Sequence, residues 1–261
     1  MTLPMSDELR LHFTGFDWWL LTVSALCGAG YLLAGFYFNL THSHQTYFTL
    51  TIVMKGLAVS PLALIALRRA TGWDQWLLGG ALAFSSTGDV LLAMRGAGMF
   101  IYGLIAFLVA HLLYVPLFIR QWPQPFRVSP GKLIVTGLVT VYAAVMMWWL
   151  MPLQDGLSAP VAIYLCVLTA MVIAATLADF ESEWVAVGAV LFLISDSLIA
   201  INRFKGMLGP VSSGLLIWAT YYNAQYLIAL GVLGELCRQA DFAEFESEEI
   251  ATHESLHSIL R

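Results

Sequence analysis

Charge is the scarcest thing in this sequence. Twelve Lys and Arg and seventeen Asp and Glu leave only 11% of 261 residues charged, where a soluble domain carries about a quarter. Hydrophobic residues make up 59% of the chain and the mean hydropathy is +0.78. So little charge cannot solvate a globule of this size. It also excludes a disordered chain, a coiled coil and a nucleic-acid module. Cysteine is scarce too: Cys27 and Cys166 fall inside apolar runs and Cys237 just past one, which gives no disulfide framework, redox pair or metal spacing. Neither a G-x-S-x-G elbow nor a phosphate-binding glycine loop occurs, which argues against a serine hydrolase and an ATP-driven pump. The net charge of -5 points to no anionic partner. Its surplus gathers near the C-terminus at Asp241, Glu244, Glu246, Glu248, Glu249 and Glu254.

What is present in quantity is long apolar runs. A helical span needs roughly 20 apolar residues, and the runs predict eight, at about 17–36, 47–68, 75–94, 98–120, 132–151, 160–178, 184–203 and 211–234. The expected fold is all-α, a polytopic membrane bundle of eight transmembrane helices. A short segment 1–16 precedes it and an acidic, solvated tail, 235–261, follows. The first run opens on Asp17-Trp18-Trp19, an interfacial aromatic pair rather than the basic region of a signal peptide. Trp73, Trp76, Trp148 and Trp149 read as further interface anchors. Arg10, Arg68, Arg69, Arg120, Arg127, Lys132, Arg238 and Arg261 fall on one side and only Arg95, Arg203 and Lys205 on the other. Cytoplasmic loops keep positive charge, so both termini are expected in the cytoplasm, and a bacterial inner membrane is the expected location.

Inside the predicted spans only two acidic residues lie deep, Asp89 and Asp196. A carboxylate near mid-membrane costs a few kcal/mol or more, so such residues face the bundle interior, take partners and mark functional sites. The stretch Gly88 to Arg95 (GDVLLAMR) resembles Ser195 to Arg203 (SDSLIAINR). The two lie four spans apart and run the same way across the membrane. A parallel four-plus-four pseudo-repeat would bring the aspartates together at its centre. Ala110-His111-Leu112-Leu113 and Ala224-Gln225-Tyr226-Leu227 add a weaker match. Other polar groups share these helices. Lys55 either snorkels to the interface or pairs with an aspartate. His111 is the only histidine within a span. Tyr221, Tyr222 and Gln225 fall within about one turn, Tyr164 opens the sixth span and Asn202 closes the seventh. No metal ligand set and no cofactor motif emerges from this inventory.

Three blocks in combination carry a family resemblance: Ala81 to Tyr114 (ALAFSSTGDVLLAMRGAGMFIYGLIAFLVAHLLY), Gly188 to Phe204 (GAVLFLISDSLIAINRF) and Tyr221 to Gly231 (YYNAQYLIALG). Together they resemble the YhhN family of integral membrane lysoplasmalogenases. The second span departs from that family's Lys-Pro pattern, with Gly56 after Lys55 and the proline only at Pro61. The resemblance implies hydrolysis of the vinyl ether bond of a lysophospholipid within the membrane, giving a fatty aldehyde and a glycerophospho-ethanolamine or glycerophospho-choline. It implies Asp89 and Asp196 as the catalytic pair.

Vinyl ether hydrolysis begins with protonation of the alkene carbon and passes through an oxocarbenium ion that water captures. It therefore needs an acid and a nearby negative charge, roles that paired carboxylates divide in glycosidases. Ser195 and Ser197 beside Asp196 favour it as the ionised member and Asp89 as the acid. His111, Tyr221, Tyr222 and Gln225 are candidates for positioning water and glycerol hydroxyls. Arg95 and Arg203 lie six and seven residues beyond the aspartates, roughly 9–10 Å nearer the surface, where they suit a headgroup phosphate. Paired intramembrane carboxylates also serve as proton relays. A proton-coupled carrier is therefore the alternative.

Overall fold

The computed structural model describes residues 9, 12–41, 44–94, 96, 98–151 and 156–259, and among them the structure is helical without strands. Eight long helices follow in order: α1 (Gly15–Thr41), α2 (His44–Arg68), α3 (Trp73–Ala93), α4 (Met99–Arg120), α5 (Pro130–Leu150), α6 (Ser158–Leu177), α7 (Trp184–Lys205) and α8 (Pro210–Ile259). Seven are long and apolar enough to cross a membrane: Gly15–Ala34 and Thr49–Arg68 within α1 and α2, and the whole of α3 to α7. The expected eighth span, 211–234, forms the first half of α8 but is less apolar. Thr220, Tyr221, Tyr222, Asn223, Gln225 and Tyr226 interrupt its run, and several of these side chains turn inward to polar partners.

Lipid supplies the reason for the outer surface. Leu133, Leu138, Val141, Val145 and Trp148 on α5 are all exposed, a row of apolar side chains that suits hydrocarbon and not water. Trp18, Trp19, Trp73 and Trp76 are exposed near helix ends, as interface anchors should be. The chain is an integral, multi-pass membrane protein.

Consecutive helices pack as antiparallel neighbours from α1 to α4, and α7 pairs extensively with α8. α6 packs on α4, α5 and α7, while α8 returns against α1, α2 and α3 to close the bundle. Among the described residues, α5 touches only α6 and α7 of the other helices and stands at the edge.

Ion pairs and caps tie one end of the bundle together. Thr14 and Asp17 form a reciprocal cap at the start of α1: Thr14 N–H donates to Asp17 at 3.0 Å and Asp17 N–H to the Thr14 hydroxyl at 3.3 Å. The buried Asp17 carboxylate also receives Arg69 at 2.9 Å and Arg68 at 3.3 Å from the last turn of α2. Arg120 and Gln121 at the end of α4 hold Asp74 at the start of α3, at 2.5 and 3.2 Å. Past residue 234 the acidic segment continues as helix. Its first turn is tied to the bundle, because buried Glu235 pairs with Arg238, which reaches Glu181 at 3.1 Å.

Close glycine contacts set the two hairpins that carry the aspartates. In α3–α4 a Cβ at Gly88 would lie 2.6 Å from the Phe107 ring, and in α7–α8 one at Gly188 would lie 2.9 Å from the Ala224 carbonyl oxygen. An aromatic ring can shift, but a helix backbone cannot. Gly188→Val should therefore destabilise the bundle by about 1–3 kcal/mol through overpacking. Gly137→Ala on the open face of α5, where nothing lies within 4 Å, should leave stability unchanged or slightly raised. Unfolding in mixed micelles measures both, and equal behaviour of the two variants would contradict this packing.

Candidate active site

The polar side chains of the membrane interior converge toward one side of the bilayer. Asp89 lies four residues before the end of α3 and Asp196 nine before the end of α7. Tyr164 lies six residues into α6 and Lys55 eleven into α2. At 1.5 Å per residue all four are within roughly 17 Å of the side that carries the α3–α4 and α7–α8 connections.

Each aspartate is held by a tyrosine. The Tyr221 hydroxyl of α8 donates to Asp89 Oδ2 at 2.6 Å. Behind it Gln225 Nε2 donates to the Tyr221 oxygen at 3.4 Å, and the Tyr114 hydroxyl of α4 donates to Gln225 Oε1 at 2.8 Å. Every donor in this row points toward Asp89. On the other side the Tyr164 hydroxyl of α6 donates to Asp196 Oδ2. With its proton so committed, the Tyr164 oxygen accepts from His111 Nε2, 3.0 Å away. The network thus assigns the Nε2–H tautomer, and the same nitrogen lies 3.6 Å from Asp196 Oδ2. His111 Nδ1 is buried and has no hydrogen-bond partner in the protein. An acceptor buried in this way is a place for a water molecule.

Aromatic rings join the two halves. Phe107, Phe192 and Tyr221 pack edge to face at centroid distances of 5.4 to 6.1 Å, and His111 packs on Phe192 at 4.8 Å. Asp89 lies within electrostatic reach of both Asp196 and Lys55. The Lys55 ammonium sits 5.2 Å from the Tyr31 ring centroid and 5.3 Å from that of Trp218. It turns into the bundle instead of snorkelling outward.

A narrow cleft of about 50 Å³ ends at Asp196 and Tyr164. Leu92, Phe100, Leu104, Phe107, Val161, Ile199, Ala200 and Phe204 form its apolar walls. Arg203 is exposed on the same turn as Phe204, with its guanidinium 5.2 Å from the Phe100 ring centroid.

The structure therefore brings together Asp89, Asp196, Lys55, His111, Tyr164, Tyr221 and Gln225 from the residues expected by sequence, and sets Arg203 beside Phe100. Arg95 lies outside the described residues. Tyr222 is not at the aspartates: its hydroxyl lies 3.0 Å from that of Ser24, and its ring fills the space above Gly28. One turn separates Tyr221 from Gln225, and Tyr222 falls on the next face toward α1. Asn202 is part of the α7 C-terminus, where its carbonyl oxygen accepts from Gly206 N–H at 3.1 Å.

The reason for taking Asp196 as the ionised member also fails. Ser195 donates to the Ile217 carbonyl and Ser197 to that of Leu193, so neither hydroxyl serves the carboxylate. The two aspartates are also partnered differently. Asp89 takes its tyrosine from α8, whereas Asp196 takes its tyrosine from α6 and not from α4.

Sequence reasoning missed Phe107 and Phe192 as the bridge, and Tyr31 and Trp218 as the seat of Lys55. Aromatic residues are frequent in these spans, and none of the four carries a polar signal of its own. The faint clue was Phe107 one turn before His111.

The YhhN family matches residues 50–232, a stretch that contains Lys55, both aspartates and every partner just named except Tyr31. The chain is 38% identical over 176 residues to a protein named lysoplasmalogenase from Mycobacterium bovis, covering 65% of each chain. It is 36% identical over 164 residues to lysoplasmalogenase TMEM86B of Mus musculus, covering 62% of this chain and 66% of the relative. Against lysoplasmalogenase TMEM86A of Homo sapiens the identity is 33% over 162 residues, 58% and 63% of the two chains. The likeness thus spans a little under two thirds of these relatives' lengths, and no solved structure matches. By the extent of the family match and the blocks that carry it, this chain belongs to the YhhN family.

Proposed function

We propose that this protein is a lysoplasmalogenase that hydrolyses the vinyl ether bond of a lysophospholipid inside the membrane. The observation that carries the reading is the pair of buried aspartates, each gripped by a tyrosine hydroxyl and joined by an aromatic cluster, with an apolar cleft reaching one of them. The names of the family relatives point to the same reaction.

The cleft is apolar and has room for the reacting end of the alkenyl chain only, and Asp196 in its lining is the proton donor. Protonation of the alkene carbon distal to the ether oxygen leaves an oxocarbenium ion. Asp89, on the other side of the aromatic rings, is the second carboxyl group of the pair. Water adds to the carbon bearing oxygen and passes a proton back to the Asp196 carboxylate, and the hemiacetal breaks to a fatty aldehyde and the glycerol hydroxyl of the headgroup fragment. One water is consumed and no oxidant or reductant is needed. His111 Nδ1 supplies an acceptor for that water, and Tyr164 and Tyr221 orient the two carboxylates. Lys55 is a positioning residue that sets the charge around Asp89. Arg203, beside Phe100, receives the headgroup phosphate. The distribution of Lys and Arg favours both termini in the cytoplasm and the aspartates in the leaflet away from it.

Asp89→Asn and Asp196→Asn keep size and hydrogen-bonding shape but remove the acid or the charge. Each should lower aldehyde release from lysoplasmalogen by about 100- to 10,000-fold while the purified variant melts like the parent. Full activity in either would contradict the proposed chemistry. Movement of the lipid across sealed vesicles without aldehyde release would point instead to a carrier.

Arg203→Ala should act differently. Loss of a charge-assisted contact of about 1.5 kcal/mol or more should raise KM roughly tenfold with kcat little changed. A fall in kcat at constant KM would remove Arg203 from headgroup binding.

A further inference from the structure

A second and larger recess lies at the opposite side of the bundle. It holds about 510 Å³ between α5 and α7, with the last turns of α6 as its floor. That is about tenfold the volume of the cleft at Asp196 and within the range of sites that hold a drug-sized ligand. Its body is apolar, formed by Val135 of α5, Ala175 of α6, and Val187, Val190 and Leu191 of α7. Its end is polar, formed by Ser129 and Lys132 at the start of α5 and by Ser182 and Glu183 at the start of α7. The gap exists because α5 rests on α6 and touches α7 only lightly. Exposed Val187 and Val135 place its flank toward the hydrocarbon.

The charges at the polar end select among amphiphiles. Lys132 Nζ donates to the Ala178 carbonyl at 2.6 Å and lies 3.7 Å from Asp179 Oδ1, so its positive charge is already partly offset. Glu183 is exposed at the N-cap of α7, and its side chain makes no capping hydrogen bond. The lining thus carries one ammonium, with N–H donors left for a phosphate, and one carboxylate available to an amine. A purely anionic headgroup meets repulsion from Glu183 and Asp179. A zwitterionic headgroup satisfies both ends, its phosphate at Lys132 and Ser129 and its ammonium at Glu183. The acyl chain then follows the valine-lined wall into the bilayer.

We propose that this recess is a lipid-binding site for a zwitterionic glycerophospholipid of the phosphatidylethanolamine type, one acyl chain of which fills the gap between α5 and α7. It lies in the leaflet opposite the aspartates and is independent of the hydrolytic reading. Its lipid is bound as a structural ligand and is not turned over.

The full chain, purified and stripped of lipid in mild detergent, is given phosphatidylethanolamine or phosphatidylglycerol of the same acyl composition, and bound lipid is counted by native mass spectrometry. The parent should retain one phosphatidylethanolamine with at least tenfold preference over phosphatidylglycerol. Val187→Trp, which fills the recess from its lipid-facing wall, should lower that binding at least tenfold. Glu183→Lys should shift the preference toward phosphatidylglycerol. Thermal melts confirm that both variants are folded, and Glu183→Lys alone decides the headgroup claim should Val187→Trp fail to fold. Equal retention by parent and Val187→Trp, or equal retention of the two lipids by the parent, would overturn the proposal.

Discussion

The structure depends on the cost of placing a carboxylate in hydrocarbon. An aspartate in a transmembrane helix must face the interior and must find hydrogen-bond donors there, or it is not tolerated. Asp89 and Asp196 meet that demand with one tyrosine hydroxyl each. To reach Asp89, Tyr221 and Gln225 must interrupt the apolar run in the first half of α8. To reach Asp196, Tyr164 must lie on the inner face of α6 and in turn fixes His111. Satisfying two acids therefore fixes the facing of α3, α4, α6, α7 and α8 together.

The rest of the bundle keeps those faces in register. Gly88 and Gly188 let α3 approach α4 and α7 approach α8 closely, and Tyr221 and Tyr114 then tie the two hairpins to each other through Asp89 and Gln225. Polar latches built from Asp17 with Arg68 and Arg69, Asp74 with Arg120, and Glu235 with Arg238 gather at the end remote from the aspartates. The polar latches thus lie at one end and the apolar cleft at Asp196 at the other.

Much of this was legible in the sequence. Apolar run lengths predicted the helices because a bilayer imposes its thickness on every span, and the eighth fell short because its polar residues serve the site. The aspartates stood out because charge is so rare here that each embedded acid needs an explanation. Their partners were only half legible. Tyr221 and Gln225 shared a face by helical spacing, but Tyr222, one residue away, points to Ser24 and could not be separated from Tyr221 by position in the sequence. The part of Ser195 and Ser197 was misread, since in a helix a serine hydroxyl readily turns to a backbone carbonyl. Phe107, Phe192, Tyr31 and Trp218 were invisible as site residues because their contribution arises from tertiary contact alone.

The proposed chemistry stands or falls on where the proton goes. Hydrolysis by carbon protonation, carried out by the purified protein in deuterium oxide with the aldehyde trapped as it forms, should place one deuterium on the carbon next to the carbonyl, seen by mass spectrometry as a gain of one mass unit. An aldehyde released without deuterium at that carbon would contradict acid catalysis by the aspartate pair.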